Sequence, residues 1–151
     1  MKVTARADYA VRAMLELATA EGELTKADRI ADAQGIPRHF LDNILTDLRR
    51  AGLVFTQRGP DGGSRLARPA DEITIAQVVR AIDGPLAAVR DVRPEALTYT
   101  GAAAQLPEVW IAVRAALRGV LEHVTIADVA SGRLPPEVQK LAADPDARTS
   151  H

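Results

Sequence analysis

The 151-residue chain carries 19 Lys+Arg against 20 Asp+Glu, a net charge of -1, and 47% of its residues are hydrophobic. That apolar content is enough for one compact domain with a core of its own. The chain has no cysteine, which excludes disulfides, thiolate nucleophiles and thiolate metal sites. Aromatic residues make up only 3%, which favours packed helices over a sheet. The sequence contains no apolar run long enough for a signal peptide or a membrane span. We therefore expect a cytoplasmic protein.

Three helices are predicted in the first third of the chain. The first follows a capping Thr4 and has an apolar face at helical spacing. The second is capped by Thr25 and ends at Gly35 in the left-handed conformation. The third begins at Pro37, ends at Gly52 and has an apolar stripe made of Phe40, Leu41, Ile44, Leu45 and Leu48. Two helices joined by a short glycine-containing turn are typical of a helix-turn-helix.

A glycine-rich hairpin is predicted directly after the third helix. The runs LVFTQR and SRLAR flank a tip that holds Gly59, Pro60, Gly62 and Gly63. The stretch lacks the Gly-Lys-Ser/Thr ending of a nucleotide-binding loop, and no helix begins directly after it to present aligned N–H groups. A helix-turn-helix followed by a hairpin predicts a winged helix, in which this hairpin is the wing.

The rest of the chain predicts a fourth helix, a loop and a long helix. The fourth helix is capped by Thr74 and ends at Gly84, and residues 86–106 lose periodicity. A long apolar stripe then predicts a dimerisation surface, because it is too apolar for solvent; its members are Leu106, Val109, Trp110, Val113, Leu117, Val120, Leu121 and Val124. Another short helix is capped by Thr125, and PPEVQKLA predicts one more before a mobile end.

The fold class is therefore mostly α: a winged helix-turn-helix domain with a small β-hairpin wing, plus a long C-terminal dimerisation helix. We assign residues 1–85 to the winged domain, 86–106 to a linker, 107–134 to the dimerisation helix with the short helix after it, and 135–151 to a C-terminal tail.

Polar residues on the third helix and arginines on the wing indicate DNA binding. Arg38, His39 and Asn43 lie on the outward face at the N-terminal end of the helix, which in such motifs meets base edges. Arg58 lies where a wing tip enters the minor groove. A solvated helix face is the alternative interpretation. The candidate DNA-contacting residues are Arg6, Tyr9, Lys26, Arg38, His39, Asn43, Arg49, Arg50, Arg58, Gly59, Gly62, Gly63 and Arg65.

Two other function classes remain for comparison. A winged-helix adaptor that grips another protein without touching DNA is one alternative, although it gives no reason for so many arginines on the wing. An enzyme is not predicted, since no nucleophile motif is present and the three histidines are widely spaced. The same spacing predicts no metal site.

The ordered set of segments resembles the Rrf2 family of bacterial transcriptional regulators over nearly the whole chain. The segments are YAVRAMLELA (9–18), IADAQGIPRHFLDNILTDLRRAGLV (30–54), RGPDGGSRLARP (58–69), ITIAQVVRAIDGP (73–85) and VLEHVTIADVASG (120–132). The wing followed by the I-x-x-x-x-V-x-x-A-I-D-G helix is the most specific part.

The resemblance implies a homodimeric regulator, in most members a repressor, that binds double-stranded operator DNA. It implies that the third helix is the recognition helix, that Arg58 matches the wing arginine of the family, and that residues 86–106 are the sensing region. Some members hold an iron–sulfur cluster through three cysteines in that region. This chain departs from them, because it has no cysteine, and Ser64 stands where an aromatic residue often follows the wing glycines. We therefore expect no cofactor, and the sequence does not identify the effector.

Overall fold

The computed structural model describes residues 1–151 and is mostly helical with one β-hairpin, as the sequence predicted. The helices are α1 (Ala5–Thr19), α2 (Ala27–Gln34), α3 (Arg38–Arg50), α4 (Ile75–Asp83), α5 (Leu106–Leu121), α6 (Ile126–Ser131) and α7 (Pro136–Ala143), and the strands are β1 (Val54–Gln57) and β2 (Gly63–Leu66). Short 3₁₀ turns lie at Ala70–Glu72, Pro94–Ala96, Gly101–Ala103 and Pro145–Arg148. None of the helices is long and apolar enough to cross a membrane.

The hydrophobic core lies between α1 and the helices packed around it. Its largest fully buried side chains include Met14 and Leu17 of α1, Leu41 and Ile44 of α3, and Ile126 of α6. Because α6 follows α5 in the chain yet packs on α1, the C-terminal part of the protein returns to the winged domain. An antiparallel bridge between Thr74 and Thr125 fixes this return, and each of these threonines also caps a helix through a reciprocal capping box.

The wing is anchored to the residue that precedes α2. β1 and β2 pair antiparallel with Val54 opposite Leu66 and Gln57 opposite Gly63. Thr25 bridges Ser64 from the other side of β2, with N–O distances of 2.8 and 2.9 Å. The expected capping role of Thr25 is therefore wrong: Lys26 occupies the N-cap position of α2 and makes no side-chain capping bond. The backbone of Thr25 serves as an additional short edge of the wing instead.

The long helix α5 stands apart from the core. Pro107 is its only buried residue, whereas Leu106 is 38% and Val109 51% exposed. Its main contacts within the chain are to the 3₁₀ turn at Pro94–Ala96. The other apolar residues of the predicted stripe on α5 are half-buried, so the helix is only partly covered in the single chain.

The apolar stripe predicted for this helix extends beyond the C-terminal end of α5. α5 stops at Leu121, and Val124 is 5% exposed within its own chain, where its carbonyl accepts a hydrogen bond from the Ile75 N–H. Val124 is part of the fold of one chain and cannot also contribute to a dimer surface. The final segment contains α7 and a 3₁₀ turn, and both are made of exposed or half-buried residues.

Candidate nucleic-acid interface

The turn between α2 and α3 presents the N-terminal end of α3 to solvent. Gly35 ends α2 with φ of 62°, in the left-handed conformation, and Ile36 is buried directly after it. α3 then packs one face into the core through Leu41, Ile44, Leu45 and Leu48. His39 and Asn43, which the sequence assigns to the outer face, are both exposed. The helix is therefore oriented with polar side chains outward at the end that enters a major groove in helix-turn-helix proteins.

Phe40 is not part of the buried stripe of α3. It is 38% exposed, and its ring lies 6.0 Å from Tyr9 and 4.4 Å from His39, measured between ring centroids. The sequence prediction placed Phe40 in the apolar stripe of α3 because of its helical spacing from Ile44. Phe40 instead lies between the rings of Tyr9 of α1 and His39 of α3, so aromatic contacts hold the exposed end of α3 against α1.

Carboxylates hold two of the predicted DNA-contacting arginines. Arg6 of α1 donates to Asp47 of α3 at 2.7 Å. Arg38 lies 3.2 Å from Asp28 of α2 and 3.3 Å from Asp42 one turn along α3. These pairs connect α1 and α2 to α3, so their first effect is to orient the helix. Because both arginines remain roughly 40% exposed, each keeps N–H groups that solvent or a phosphate can reach.

Lys26 also has an intramolecular role. Its ammonium group donates to the carbonyl oxygens of Gly59 and Pro60, the former at 3.2 Å. The side chain thereby ties the wing tip to the beginning of α2. Lys26 was predicted as a DNA contact, and its position beside the tip is compatible with that, although two of its three N–H donors already have partners.

Four predicted arginines have no carboxylate partner. Arg49 and Arg50 end α3, Arg58 begins the wing loop, and none of them takes part in an ion pair. All three are exposed. Arg65 on β2 stacks over the ring of Phe55 at 4.5 Å, which fixes its direction and leaves its charge uncompensated. The uncompensated positive charge of this region therefore lies at the C-terminal end of α3 and on the wing.

A cleft of about 320 Å³ separates α3 from the wing, and arginines from both elements line it. Arg38 and Arg49 reach it from α3, and Arg58 reaches it from the wing. Residues 38–68 contain six arginines against three aspartates, with no other charged residue except His39 when it is protonated. Arginine forks match the geometry of phosphate oxygens. The cleft is thus a cationic groove, lined by these three arginines and one carboxylate, Asp42.

The wing glycines have two different roles. A Cβ on Gly62 would lie 2.1 Å from the Gln57 carbonyl oxygen, and one on Gly63 would lie 2.8 Å from the Thr25 carbonyl oxygen. Both glycines are therefore needed for packing inside the protein. A Cβ on Gly59, where φ is 102°, would meet no atom within 4 Å. Only Gly59 matches the expectation that a glycine leaves the wing backbone open to a close approach by DNA.

Sequence reasoning did not identify two carboxylates that shape this surface, nor the packing role of Ser64. Asp28 and Asp47 hold the arginines described above, and the pairs span too many residues for a local pattern to reveal them. Ser64 is buried, and its hydroxyl lies 3.2 Å from that of Thr56 across the hairpin. The wing therefore packs on a small polar pair where an aromatic residue was the family expectation.

Comparisons with known proteins agree with this fold. The chain is 54% identical over 151 residues to a Mycobacterium tuberculosis protein described as a candidate HTH-type transcriptional regulator, covering 99% of this chain and 94% of that one. It is 34% identical to the structure of CymR, the global cysteine regulator of B. subtilis, with a TM-score of 0.71 over 87% of this chain and 98% of that chain. The T. potens IscR structure matches at 27% identity and a TM-score of 0.69, covering 100% and 93%. These relatives are regulators and not enzymes, as the sequence predicted.

The family model that matches residues 3–132 is Rrf2, described as an iron-dependent transcriptional regulator. Iron–sulfur clusters are held mainly by cysteine thiolates, and this chain has none. No three histidine, aspartate or glutamate side chains converge as metal ligands do. The donor set does not fit a thiolate-held cluster, although the family match extends over most of the chain. The chain belongs to the Rrf2 family of transcriptional regulators.

Proposed function

We propose that the protein is a homodimeric, sequence-specific DNA-binding regulator that acts as a repressor in the cytoplasm. The observation that carries this proposal is the cationic cleft between α3 and the wing, where Arg38, Arg49 and Arg58 converge on one groove. A groove of this charge beside an exposed helix end fits a DNA duplex, whose phosphates supply most of the binding energy.

Base readout would come from the N-terminal half of α3. His39 and the Asn43 amide are exposed, and the Asn43 side chain has no hydrogen-bond partner within the chain. Asparagine pairs well with the N6 and N7 atoms of adenine in the major groove. Arg49 and Arg50 would then meet phosphates from the other end of the helix, which fixes the register without reading sequence.

The wing would contact the adjacent minor groove. Arg58 is exposed at the start of the wing loop, next to the open backbone of Gly59. A narrow minor groove concentrates negative potential and attracts an inserted arginine. Because Lys26 holds Gly59 and Pro60, the wing tip is partly organised before DNA arrives, which lowers the entropy lost on binding.

Dimerisation through α5 would place two such surfaces on one operator. The apolar stripe of α5 is only partly covered in one chain, with Val109 51% exposed and the central stripe residues half-buried. A twofold axis buries the same patch on both copies. Two recognition helices then meet half-sites on one face of the duplex, and a dimer seated over a promoter excludes polymerase.

The proposal is tested by selecting fragments of the source genome that the purified protein retains, then measuring gel shifts on them at two salt concentrations. We expect a shared inverted repeat and an affinity that falls steeply with salt, because bound phosphates release counterions. Arg49→Ala/Arg50→Ala should weaken binding to every duplex, whereas Arg133→Ala, which removes an exposed arginine after α6, should not. Retention of no fragment, with capture of a protein partner through the wing, would favour the adaptor function instead.

A further inference from the structure

A second cationic pocket lies away from the DNA-facing cleft, between the winged domain and the long helix. It has a volume of about 370 Å³, and four arginines line it: Arg80 from α4, Arg93 from the linker, and Arg114 and Arg118 from α5. Leu86 is the one hydrophobic residue of its wall. A pocket of this size is in the range of small-molecule sites, and its polar wall suits a charged ligand better than an apolar one.

Two glutamates compensate only part of this positive charge. Arg114 pairs with Glu95, while Arg80 and Arg118 share Glu122, with an Arg118–Glu122 distance of 2.9 Å. Hydrogen bonds from Arg80 and then Arg118 lower the pKa of Glu122, and a backbone hydrogen bond followed by Arg114 and Arg93 lowers the pKa of Glu95. Both carboxylates are therefore ionised at neutral pH. Four guanidinium groups face two carboxylates, and the pocket retains an excess of two positive charges.

The pocket contains one arginine, Arg93, more than the ion pairs between its helices and linker require. Arg93 is exposed and belongs to no ion pair. Joining α4 to α5 needs only Arg80, Arg118 and Glu122, and joining the linker to α5 needs only Arg114 and Glu95. An additional arginine in the same pocket, with no carboxylate in ion-pair contact, leaves positive charge that a bound anion can compensate.

We propose that this pocket binds a small dianion, whose two negative charges come from phosphoryl or carboxylate groups. Guanidinium forks bind such groups through paired N–H donors, which makes arginine the residue of choice for them. The ligand would use the donors of Arg93 first and compete with Glu95 and Glu122 for the other three arginines.

Because of where the pocket lies, a ligand bound in it can change the affinity for DNA. This regulatory effect rests on the proposed function. Arg80 belongs to the winged domain, whereas Arg114 and Arg118 belong to the dimerisation helix, and direct packing between α4 and α5 is sparse. An anion that draws these arginines together alters the angle between each winged domain and α5. In a dimer that angle sets the separation of the two α3 helices, so the ligand and the operator become energetically coupled.

The test uses the DNA-free protein and isothermal calorimetry. The probes are inorganic phosphate, kept above its second pKa so that it is a dianion, and succinate, titrated separately at constant ionic strength with chloride as the reference anion. We expect saturable binding of one anion per chain by at least one probe, and the preferred probe identifies phosphoryl or carboxylate chemistry. Arg93→Ala should weaken it about tenfold or more, the loss expected for a charge-assisted hydrogen bond, and the matched Arg133→Ala should leave it unchanged.

Three results would overturn the proposal: no saturable binding of either probe, equal binding by Arg93→Ala and wild type, or binding that Arg49→Ala weakens and Arg93→Ala does not. The last would place the anion on the DNA-facing cleft. In gel shifts, the bound probe should change operator affinity of wild type but not of Arg93→Ala, and no change in wild type would refute the regulatory coupling. Because calorimetry needs no operator, failure of the DNA-binding proposal leaves the binding result intact.

Discussion

Substituting Gly63 by alanine should show that the wing depends on a close contact inside the protein. The new Cβ would lie 2.8 Å from the Thr25 carbonyl oxygen and 3.0 Å from the Thr25 nitrogen. Both neighbours are backbone atoms, so neither can rotate away. Relief requires β2 to move from Thr25, which breaks the Thr25–Ser64 hydrogen bonds of 2.8 and 2.9 Å.

The magnitude follows from these two effects. Overpacking a tight site costs ~1–3 kcal/mol, and each lost backbone hydrogen bond costs ~1 kcal/mol. Strain and bond loss are alternative responses to the same clash, so they do not add in full. We expect the free energy of unfolding to fall by ~2–4 kcal/mol, a large share of the ~5–15 kcal/mol typical of a domain.

Urea unfolding followed by circular dichroism, at one fixed protein concentration, measures this change. Gly119→Ala is the matched control, since no atom lies within 4 Å of a Cβ there and the residue is inside α5. It should raise helix stability by up to ~1 kcal/mol. Gly63→Ala with wild-type stability and unchanged operator affinity would refute the structural role assigned to this glycine.

Three further predictions concern other parts of the molecule. Val113→Asp or Leu117→Asp should be monomeric in light scattering, because each buries a charge in the proposed interface. Ala115→Asp, on the opposite side of α5, should remain dimeric. If the Val113 and Leu117 variants stay dimeric, α5 does not form the interface. The protein should purify colourless under anaerobic conditions and bind operator without added iron or sulfide, and stoichiometric iron and sulfide would contradict this. Pairing with Arg80 and Arg118 lowers the pKa of Glu122 in the folded protein, so this pairing stabilises the fold fully above pH 4.5, the ordinary pKa of a glutamate. The stabilisation is lost as the pH falls through the lower pKa that Glu122 has in the folded protein. Glu122→Gln should therefore show a smaller stability loss than wild type between pH 6 and pH 3.5, and parallel losses would contradict the assignment.

Local signals in the sequence predicted most of the winged domain correctly. Thr4, Thr74 and Thr125 cap helices as expected, and Gly35 ends α2 in the left-handed conformation. These features depend on hydrogen bonds within three or four residues, so their residue types are sufficient evidence. The order of helices and hairpin follows from such boundaries together with the apolar periodicity.

Features that depend on distant partners were not predictable in the same way. Thr25 is a residue type that caps helices, but it lies one residue before the N-cap of α2, and its backbone pairs with Ser64, 39 residues along the chain. Val124 continues the apolar spacing of α5, yet the bridge between Thr74 and Thr125 draws it into the core. The same holds for the candidate site, where Asp47 and Lys26 restrain residues far away in sequence.

The central claim, that α3 and the wing together recognise a specific DNA sequence, is tested most directly by the salt dependence of binding to the selected operator and to a scrambled duplex. Wild type, Arg58→Ala and Arg133→Ala are compared on both. We expect Arg58→Ala to lose ~1–3 kcal/mol on the operator, less on the scrambled duplex, and about one unit of salt slope. Arg133→Ala should match wild type. Equal affinity of wild type for operator and scrambled duplex, or an operator affinity that Arg58→Ala leaves unchanged, would contradict the account.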